Sequence, residues 1–234
     1  MSLERRAGLA LLGLALLAPC ASQAADLIVA EARGVALKPG QTIDDTKPLM
    51  LKEGQHVTLI APNGATFKLN GPYNKAPAAD QAGAVPIGTR LAALVTQNQA
   101  RIGEVGTTRG NAPYKLPDPW LFDISRNGTV CLRDGQQPVF WRPDTAKLAT
   151  LTVMPGDRSW KAEARWPAGT DRITVETKVP IHGDATYLVS LDNSQSALTV
   201  SALPPVLAND SMRAAWMAEK GCDAQAEALL RPRP

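Results

Sequence analysis

The sequence predicts a mainly β protein of two small β modules, the second sandwich-like, with a helical C-terminal tail. Its 234 residues include 18 glycines and 19 prolines, and short runs of Val, Leu, Ile and Thr lie between these turn formers. Asn-Gly pairs beside such runs are typical of hairpins. A helical spacing of apolar residues is confined to one central segment and to the chain after Pro204-Pro205.

The N-terminus has the order of regions found in a secretory signal. Arg5 and Arg6 precede an apolar run over residues 7–17, which is shorter than the roughly 18 to 20 residues of a membrane span. Small residues then lead to Ala24 and Ala25. We therefore expect a signal peptide over residues 1–24 that is cleaved after Ala24, with Ala25 as the next candidate, on the general secretion route.

A lipid anchor is the alternative for this end of the chain. The sequence Leu17-Ala18-Pro19-Cys20 resembles a lipoprotein box, in which Cys20 would be acylated and become the first residue. Pro19 departs from the small residue expected before the cysteine. We expect a periplasmic protein, with lipid anchoring through Cys20 or full secretion as alternatives.

Two cysteines, Cys131 and Cys222, remain after cleavage, and an even pair in an oxidising compartment predicts a disulfide. The bond would close a loop of about ninety residues, for which chain entropy gives on the order of 4 kcal/mol. Two buried free thiols are the alternative. The net charge of +3 is spread along the chain, so nothing indicates nucleic acid as a partner.

The N-terminal module, residues 25–105, is predicted to contain short strands and one helix. Asn63-Gly64 lies between two of the strands and predicts a hairpin, because both residues tolerate positive φ. Thr89 is the predicted N-cap of the helix, whose apolar face carries Leu91, Leu94, Val95 and Ile102. The predicted strands are residues 27–30, 34–37, 48–51, 56–61 and 65–69.

Part of this module resembles a known family. Turn glycines alternate with apolar residues through Leu49-Met50-Leu51, Gly54, Val57-Thr58-Leu59-Ile60, Gly64 and Leu69-Asn70-Gly71-Pro72-Tyr73. In this pattern the segment resembles the small β domain of FecR-type periplasmic proteins, and the chain as a whole resembles exported proteobacterial proteins that carry such a segment. FecR-type proteins relay signals through a membrane helix, for which this sequence offers no second apolar run.

Residues 70–88 are predicted to be a Pro-, Ala- and Gly-rich connection, and residues 106–119 a linker. The C-terminal module, residues 120–234, holds all five tryptophans. Asn127-Gly128 predicts one hairpin and Asp192-Asn193 another. The predicted strands are residues 120–125, 129–132, 139–142, 149–153, 159–164, 172–177, 187–191 and 197–203.

The tail is predicted to contain two helices. Asp210 or Ser211 is expected to cap the first, which runs to residue 220 and stops at Gly221. Its apolar side would carry Met212, Trp216 and Met217. The second helix is predicted over residues 223–230, and a bond from Cys222 to Cys131 would hold both helices on the sheet.

Two tryptophans are the candidate binding residues. Trp160 and Trp166 flank Lys161, Glu163 and Arg165, an arrangement that could offer an aromatic and charged platform to a sugar or a peptide. Alternation along a strand equally allows one ring to lie in the core while the charges face water, and we favour this interpretation.

No catalytic, cofactor or metal motif stands out. His56 and His182 lack partners at metal-ligand spacing. His182 with Asp184 and a serine could form a hydrolytic triad, but no Gly-x-Ser-x-Gly elbow is present. Asp44-Asp45 is interpreted as part of a solvated turn rather than as a cation site.

These observations favour a non-enzymatic periplasmic protein that binds another cell-envelope protein, with strand edges of the first module available for strand addition. A carbohydrate- or peptidoglycan-binding module is the alternative, and it requires Trp160 or Trp166 to be exposed. A hydrolase built on His182 is a third possibility. Neither a nucleic-acid partner nor an integral membrane span after cleavage is expected.

Overall fold

The computed structural model describes residues 25–104 and 115–232. The predicted signal peptide with Cys20 and Ala24, and most of the predicted linker, lie outside the described residues. Strands dominate the described chain, and two helices close it at the C-terminus. The predicted mainly β fold class with a helical tail is confirmed.

The N-terminal module is built on a four-stranded antiparallel sheet, the first sheet. Its strands are β1 (Asp26–Arg33), β2 (Thr42–Asp44), β4 (His56–Ile60) and β5 (Thr66–Asn70), in the order β2-β1-β4-β5. A separate pair consists of β3 (Leu49–Leu51) and β6 (Tyr73–Lys75). A 3-10 segment (Pro77–Gly83) and helix α1 (Ile87–Glu104) follow.

Both faces of the first sheet are covered, so its central strands read as continuous apolar runs. Leu27 and Val57 lie in the cluster on one face, together with residues of the β3–β6 pair. Ile28, Ala30 and Ile60 lie in the cluster on the other face, together with the helices. A strand buried on both sides loses the alternation of apolar and polar residues that marks a half-exposed strand.

Three local predictions for this module need correction. The predicted strand over residues 34–37 is not formed. Residues 34–36 form a bend instead, because Gly34 adopts φ +71° and its carbonyl accepts a hydrogen bond from the Gln55 side chain. The connection over residues 70–88 contains β6 and the 3-10 segment. Helix α1 begins two residues before Thr89, where Ile87 is buried in the core.

The C-terminal module contains eight strands. They are β7 (Leu121–Asp123), β8 (Gly128–Arg133), β9 (Val139–Trp141), β10 (Ala149–Pro155), β11 (Ala162–Trp166), β12 (Arg172–Thr174), β13 (Ala185–Leu191) and β14 (Ser194–Leu203). Five form the large sheet in the order β11-β10-β13-β14-β8, and three form the small sheet in the order β12-β9-β7. Apolar side chains of both sheets share one core, as in a sandwich, and Phe122 meets Phe140 edge to face within it.

The two predicted hairpins of this module have different outcomes. Asp192-Asn193 joins β13 to β14, and Asp192 takes the left-handed φ of +48° that this turn needs. The prediction of a hairpin at Asn127-Gly128 is wrong. Strand β7 lies in the small sheet, β8 joins β14 in parallel, and the Asn127 side chain instead accepts a hydrogen bond from the N–H of Ala197.

The tail forms α2 (Asp210–Lys220) and α3 (Asp223–Leu230) within the predicted limits. The N-cap of α2 is Asn209, one residue before the predicted positions, and its side chain accepts a hydrogen bond from the N–H of Met212. Gly221 ends the helix in the left-handed region, as predicted.

Helix α2 contacts both modules and is buried on more than its predicted apolar side. Ala214, Ala215 and Ala218 are buried together with the larger apolar residues. The Trp216 indole donates to a carbonyl of β14, whereas the Lys220 ammonium donates to a carbonyl of β1. The helix therefore packs residues of both modules into one cluster.

The disulfide between Cys131 and Cys222 joins β8 to the turn between α2 and α3. The Cα atoms of the two cysteines are 5.8 Å apart, a separation usual for a bridged pair. Both residues are buried in the cluster around α2. The bond holds the helical tail on the large sheet, which is the arrangement that the sequence predicts.

Candidate functional site

Whether another chain can join a sheet depends on the strands at its edges. At one edge of the large sheet, strand β8 is closed to a further strand. The side chain of Gln225 accepts a hydrogen bond from the N–H of Cys131 and donates to the carbonyls of Cys131 and Pro119. Gln225 is 2% exposed. Its amide therefore takes the place that a neighbouring strand would have beside β8.

The edges of the first sheet offer less open backbone than expected. Strand β2 has three residues, and the carbonyl of Asp44 already accepts a hydrogen bond from Lys47. On β5, Thr66 exchanges two hydrogen bonds with Val85, and the 3-10 segment packs beside the strand. A strand from another protein would have to displace these contacts.

Strand β11 is the open end of the large sheet. The carbonyl of Thr150 in β10 accepts from the N–H of Asp192 on the β13 side. Because backbone groups of successive residues point to opposite sides of a strand, the next β10 residue bonds to Ala164 of β11. The backbone groups of Glu163 and Arg165 therefore point outwards, and no backbone hydrogen bond within the described chain takes them.

Charged side chains lie along this edge. Lys161 pairs with Glu163 at 2.5 Å, and the hydrogen bond from this ammonium holds the pKa of the Glu163 carboxyl below its usual range. Arg165 is also exposed. Charges on an edge strand oppose pairing with strands that carry like charges. A strand that joins this edge would therefore need a complementary charge pattern.

Trp166 does not belong to a platform on this surface. It is 0% exposed, its indole N–H donates to the carbonyl of Thr170 at 3.0 Å, and the Arg142 guanidinium lies 4.9 Å from the ring centre. Alternation along β11 turns this ring towards the core and Glu163 towards water. The prediction of a platform that contains both tryptophans is therefore wrong. The favoured interpretation, that one ring lies in the core, is confirmed.

Trp160, in contrast, lies in the wall of an open cleft of about 440 Å³ at the end of the large sheet. Its half-buried ring is 6.1 Å from the ring of Tyr187, which is almost fully buried. His182 meets the same tyrosine ring at 6.5 Å. The remaining lining includes Asp157, Ser159, Val179 and Thr186.

The polar groups of the cleft are only partly engaged with one another. Hydrogen bonds from the backbone N–H and the hydroxyl of Ser159 hold the pKa of Asp157 below its usual range, so its carboxylate is charged at neutral pH. The Nδ1 of His182 lies 2.9 Å from the Gly183 carbonyl, to which it must donate. Its backbone N–H donates to the hydroxyl of Tyr187.

These contacts do not form a hydrolytic triad. A triad needs a hydroxyl bonded to the histidine and a group that orients the histidine towards it. Here the hydroxyl of Ser159 bonds to Asp157, and His182 Nδ1 bonds to the neighbouring carbonyl. The cleft has the polar and aromatic groups of a binding site without that relay.

The backbone at the rim of the cleft is unusual. Arg158 and Asp184 adopt φ of 58° and 62°, values that non-glycine residues rarely take. Each is a chain neighbour of a lining residue, Asp157 or Ala185. Left-handed non-glycine residues persist where the surrounding structure requires them, and such positions gather at functional sites.

The other sequence candidates lie elsewhere. His56 is half-buried at the start of β4. Asp44 accepts hydrogen bonds from Thr46, whereas Asp45 is buried, so only the first of the pair behaves as a solvated turn residue. Among the residues that the structure describes, no three His, Cys, Asp or Glu side chains are grouped as metal ligands.

Sequence reasoning missed Asp157, Tyr187 and Thr186 as members of the cleft. Asp157 and Ser159 carry a weak signal, since an Asp two residues before a Ser is typical of a turn. Tyr187 carries none. It lies in another strand, and only the sheet topology brings it beside Trp160.

Comparison with known proteins does not identify a function for these surfaces. No protein-family model matches the chain, and no curated protein is significantly similar to it. The resemblance to FecR-type domains therefore stays a prediction. Over residues 25–104 and 115–232, the helices are too short or too polar to cross a bilayer. The chain consists of two β modules that pack against helices, and a disulfide joins the second module to the helical tail.

Proposed function

We propose that the protein binds an extended segment of another cell-envelope protein along the outer edge of β11, without catalysing a reaction. The observation that carries this proposal is the outward backbone of Glu163 and Arg165 on the longest open edge of the described sheets. A segment that adds to this edge gains backbone hydrogen bonds, and its side chains lie beside those of β11.

The periplasm is the proposed compartment. The bond between Cys131 and Cys222 and the mainly β fold are compatible with a location outside the cytoplasm, where disulfides persist. The predicted signal peptide supports the same location. The partner would then be a protein of the cell envelope.

A proline at position 163 tests strand addition directly. The N–H of Glu163 points away from β10, so Glu163→Pro removes a donor of the open edge and no hydrogen bond of the native sheet. Glu163→Thr is the matched control, because it removes the same charge and keeps the N–H. Both proteins, with the parent, are immobilised and exposed to envelope extract, and bound proteins are quantified by mass spectrometry.

We expect the parent and Glu163→Thr to retain the same envelope proteins and Glu163→Pro to lose them by at least about tenfold, equivalent to about 1.4 kcal/mol. Circular dichroism and the melting temperature show whether the proline variant is folded. Equal retention by the folded proline variant, or no envelope protein bound by the parent, contradicts the proposal.

The cleft around Trp160 favours a second function, the binding of a carbohydrate or a peptidoglycan fragment. The half-buried indole of Trp160 can stack on the C–H face of a sugar, because the face of the indole carries partial negative charge. Asp157 and His182 line the same cleft and can bond to sugar hydroxyls. Oligosaccharides of N-acetylglucosamine or glucose, and a soluble peptidoglycan fragment, are the probes for this site.

Trp160→Ala and Trp160→Phe separate stacking from mere folding effects. We expect saturable binding by calorimetry that is about tenfold weaker in Trp160→Ala and little changed in Trp160→Phe. Glu163→Pro should bind these probes as the parent does, which distinguishes the two functions. Absence of saturable binding to every probe eliminates the carbohydrate function and leaves the edge proposal standing.

A further inference from the structure

One buried carboxylate, Asp45, has only uncharged partners. It lies at the end of β2, is 6% exposed, and is covered by the 3-10 segment. One oxygen accepts from the backbone N–H of Ala25 at 2.9 Å, and the other accepts from the Gln81 amide at 2.8 Å. None of the ion pairs within the described ranges includes Asp45. Buried charges in proteins are normally paired with an opposite charge.

Ala25 is the residue that the predicted cleavage would place at the N-terminus. In the uncleaved chain its nitrogen is an amide and carries no charge. Hydrolysis of the peptide bond between Ala24 and Ala25 adds one water, which leaves a carboxylate on Ala24 and an amino group on Ala25. With its unperturbed pKa of about 7.7–8.0, this amino group is mostly protonated at neutral pH.

We infer that removal of the signal peptide after Ala24 creates an α-ammonium group on Ala25 that forms a partly buried ion pair with Asp45. The signal peptidase catalyses the cut, and the fold supplies the acceptor. The geometry is already in place, because the nitrogen lies within hydrogen-bonding distance of the carboxylate. Processing thus changes an amide hydrogen bond into a charged one without a change of fold.

The same contacts discriminate between the possible cleavage positions. The carbonyl of Ala25 also accepts a hydrogen bond from the backbone N–H of Asp45, at 3.2 Å. A cut after Ala25 would remove both contacts and create the new ammonium one residue further along, on Asp26. Acylation at Cys20 would keep Ala25 as an internal amide. Only the cut after Ala24 places the new ammonium on the nitrogen that already contacts the Asp45 carboxylate.

The experiment has two parts. The full chain is exported in a bacterial host, and intact mass and N-terminal sequencing identify the first residue of the product. The mature protein is then prepared in three forms: with free Ala25, with one additional glycine before Ala25, and with Ala25 acetylated on its α-nitrogen. The first two forms are also made with Asp45→Asn.

We expect Ala25 as the first residue of the exported protein. Acetylation or the additional glycine should lower the melting temperature by about 5–10 °C in the Asp45 background, because each leaves a buried carboxylate without its closest cation. In the Asp45→Asn background the glycine should have little effect. This double-mutant cycle isolates the charge, since the N–H of Ala25 remains a donor in every form.

A first residue other than Ala25 overturns the inference, as does an equal effect of the glycine with Asp45 and with Asp45→Asn. If Asp45→Asn does not fold, the acetylated form decides alone, and a melting temperature equal to that of the free form overturns the ion pair. A cut at another position, or an absent charge effect, leaves the proposals for β11 and the cleft untouched. An uncleaved chain would overturn this inference and would also remove the support that the predicted signal peptide gives to the periplasmic location.

Discussion

Gly64 lies where the hairpin of the first sheet meets helix α2. Its φ is +78°, and a Cβ atom built on it would be 2.6 Å from the carbonyl oxygen of Ser211. The sequence predicted this hairpin from the tolerance of both Asn63 and Gly64 for positive φ, but only the glycine uses it. The position therefore requires glycine for its backbone conformation and for close packing.

Gly64→Ala should destabilise the protein by about 3 kcal/mol, of which the left-handed conformation accounts for about 1–2 kcal/mol and the contact with Ser211 for the rest. Gly54→Ala is the matched control. Gly54 has φ +76° but open space around it, so only the conformational cost of about 1–2 kcal/mol should appear. Urea unfolding of both variants measures the difference. Equal losses would show that the approach of α2 does not restrict position 64.

Asp223, the first residue of α3, is a polar group that the fold disfavours in its charged form. Burial raises the pKa of its carboxyl, the charge of Arg90 opposes the rise, and its Oδ1 atom has no hydrogen-bond partner. A carboxyl with a raised folded-state pKa contributes stability below its unfolded pKa, and this contribution is lost as the pH rises through the folded pKa.

Asp223→Asn should therefore increase the free energy of unfolding at pH 7 by an amount of order 1 kcal/mol. The gain should shrink as the pH falls towards the unfolded value of about 3.9. Asp210→Asn, at the first residue of α2 and exposed, should give no gain because its carboxylate pairs with Arg213. Thermal unfolding between pH 4 and pH 8 tests both variants. A gain that persists unchanged at pH 4 would contradict the burial argument.

At the scale of elements, strand β8 shows how a side chain can close a sheet. The Gln225 amide satisfies three backbone groups that would otherwise be buried without partners. Gln225→Ala should cost about 3 kcal/mol and accelerate hydrogen exchange at the Cys131 amide. Gln137→Ala, on an exposed residue, should change stability by less than about 0.5 kcal/mol. Unchanged exchange at Cys131 in the Gln225 variant would contradict the view that this side chain protects the amide.

The elements that could be predicted are those whose sequence signals lie within a few residues of one another. The tail helices, with Gly221 as a stop, and the hairpin at Asp192-Asn193 follow from residues adjacent in sequence. The hairpin at Asn127-Gly128 failed because the partner of β8 is β14, and a parallel pairing leaves no turn signal. The cleft was only half predictable. Alternation indicated that one ring lies in the core and that the charges face water, but nothing near Trp160 indicates His182 or Tyr187.

At the scale of the whole molecule, the disulfide closes a loop across a sequence separation of 91 residues. Chain entropy assigns such a bond about 4 kcal/mol. Reduction of the mature protein should lower the free energy of unfolding by up to this amount and raise the mass by about two daltons. The double variant Cys131→Ala/Cys222→Ala should behave as the reduced protein does. Urea unfolding with and without reductant measures the effect, and no change on reduction would contradict it.

The position of α2 also has a consequence for the time course of folding. A ribosome makes the chain from its N-terminus, so β1 and β4 emerge long before residues 210–220 that cover Ile28, Ala30 and Ile60. Until then only α1 is available to cover this face of the first sheet, and contacts so distant in sequence form slowly. The nascent chain therefore has a long aggregation-prone interval, during which a holdase chaperone that shields the exposed face would raise the yield of native protein.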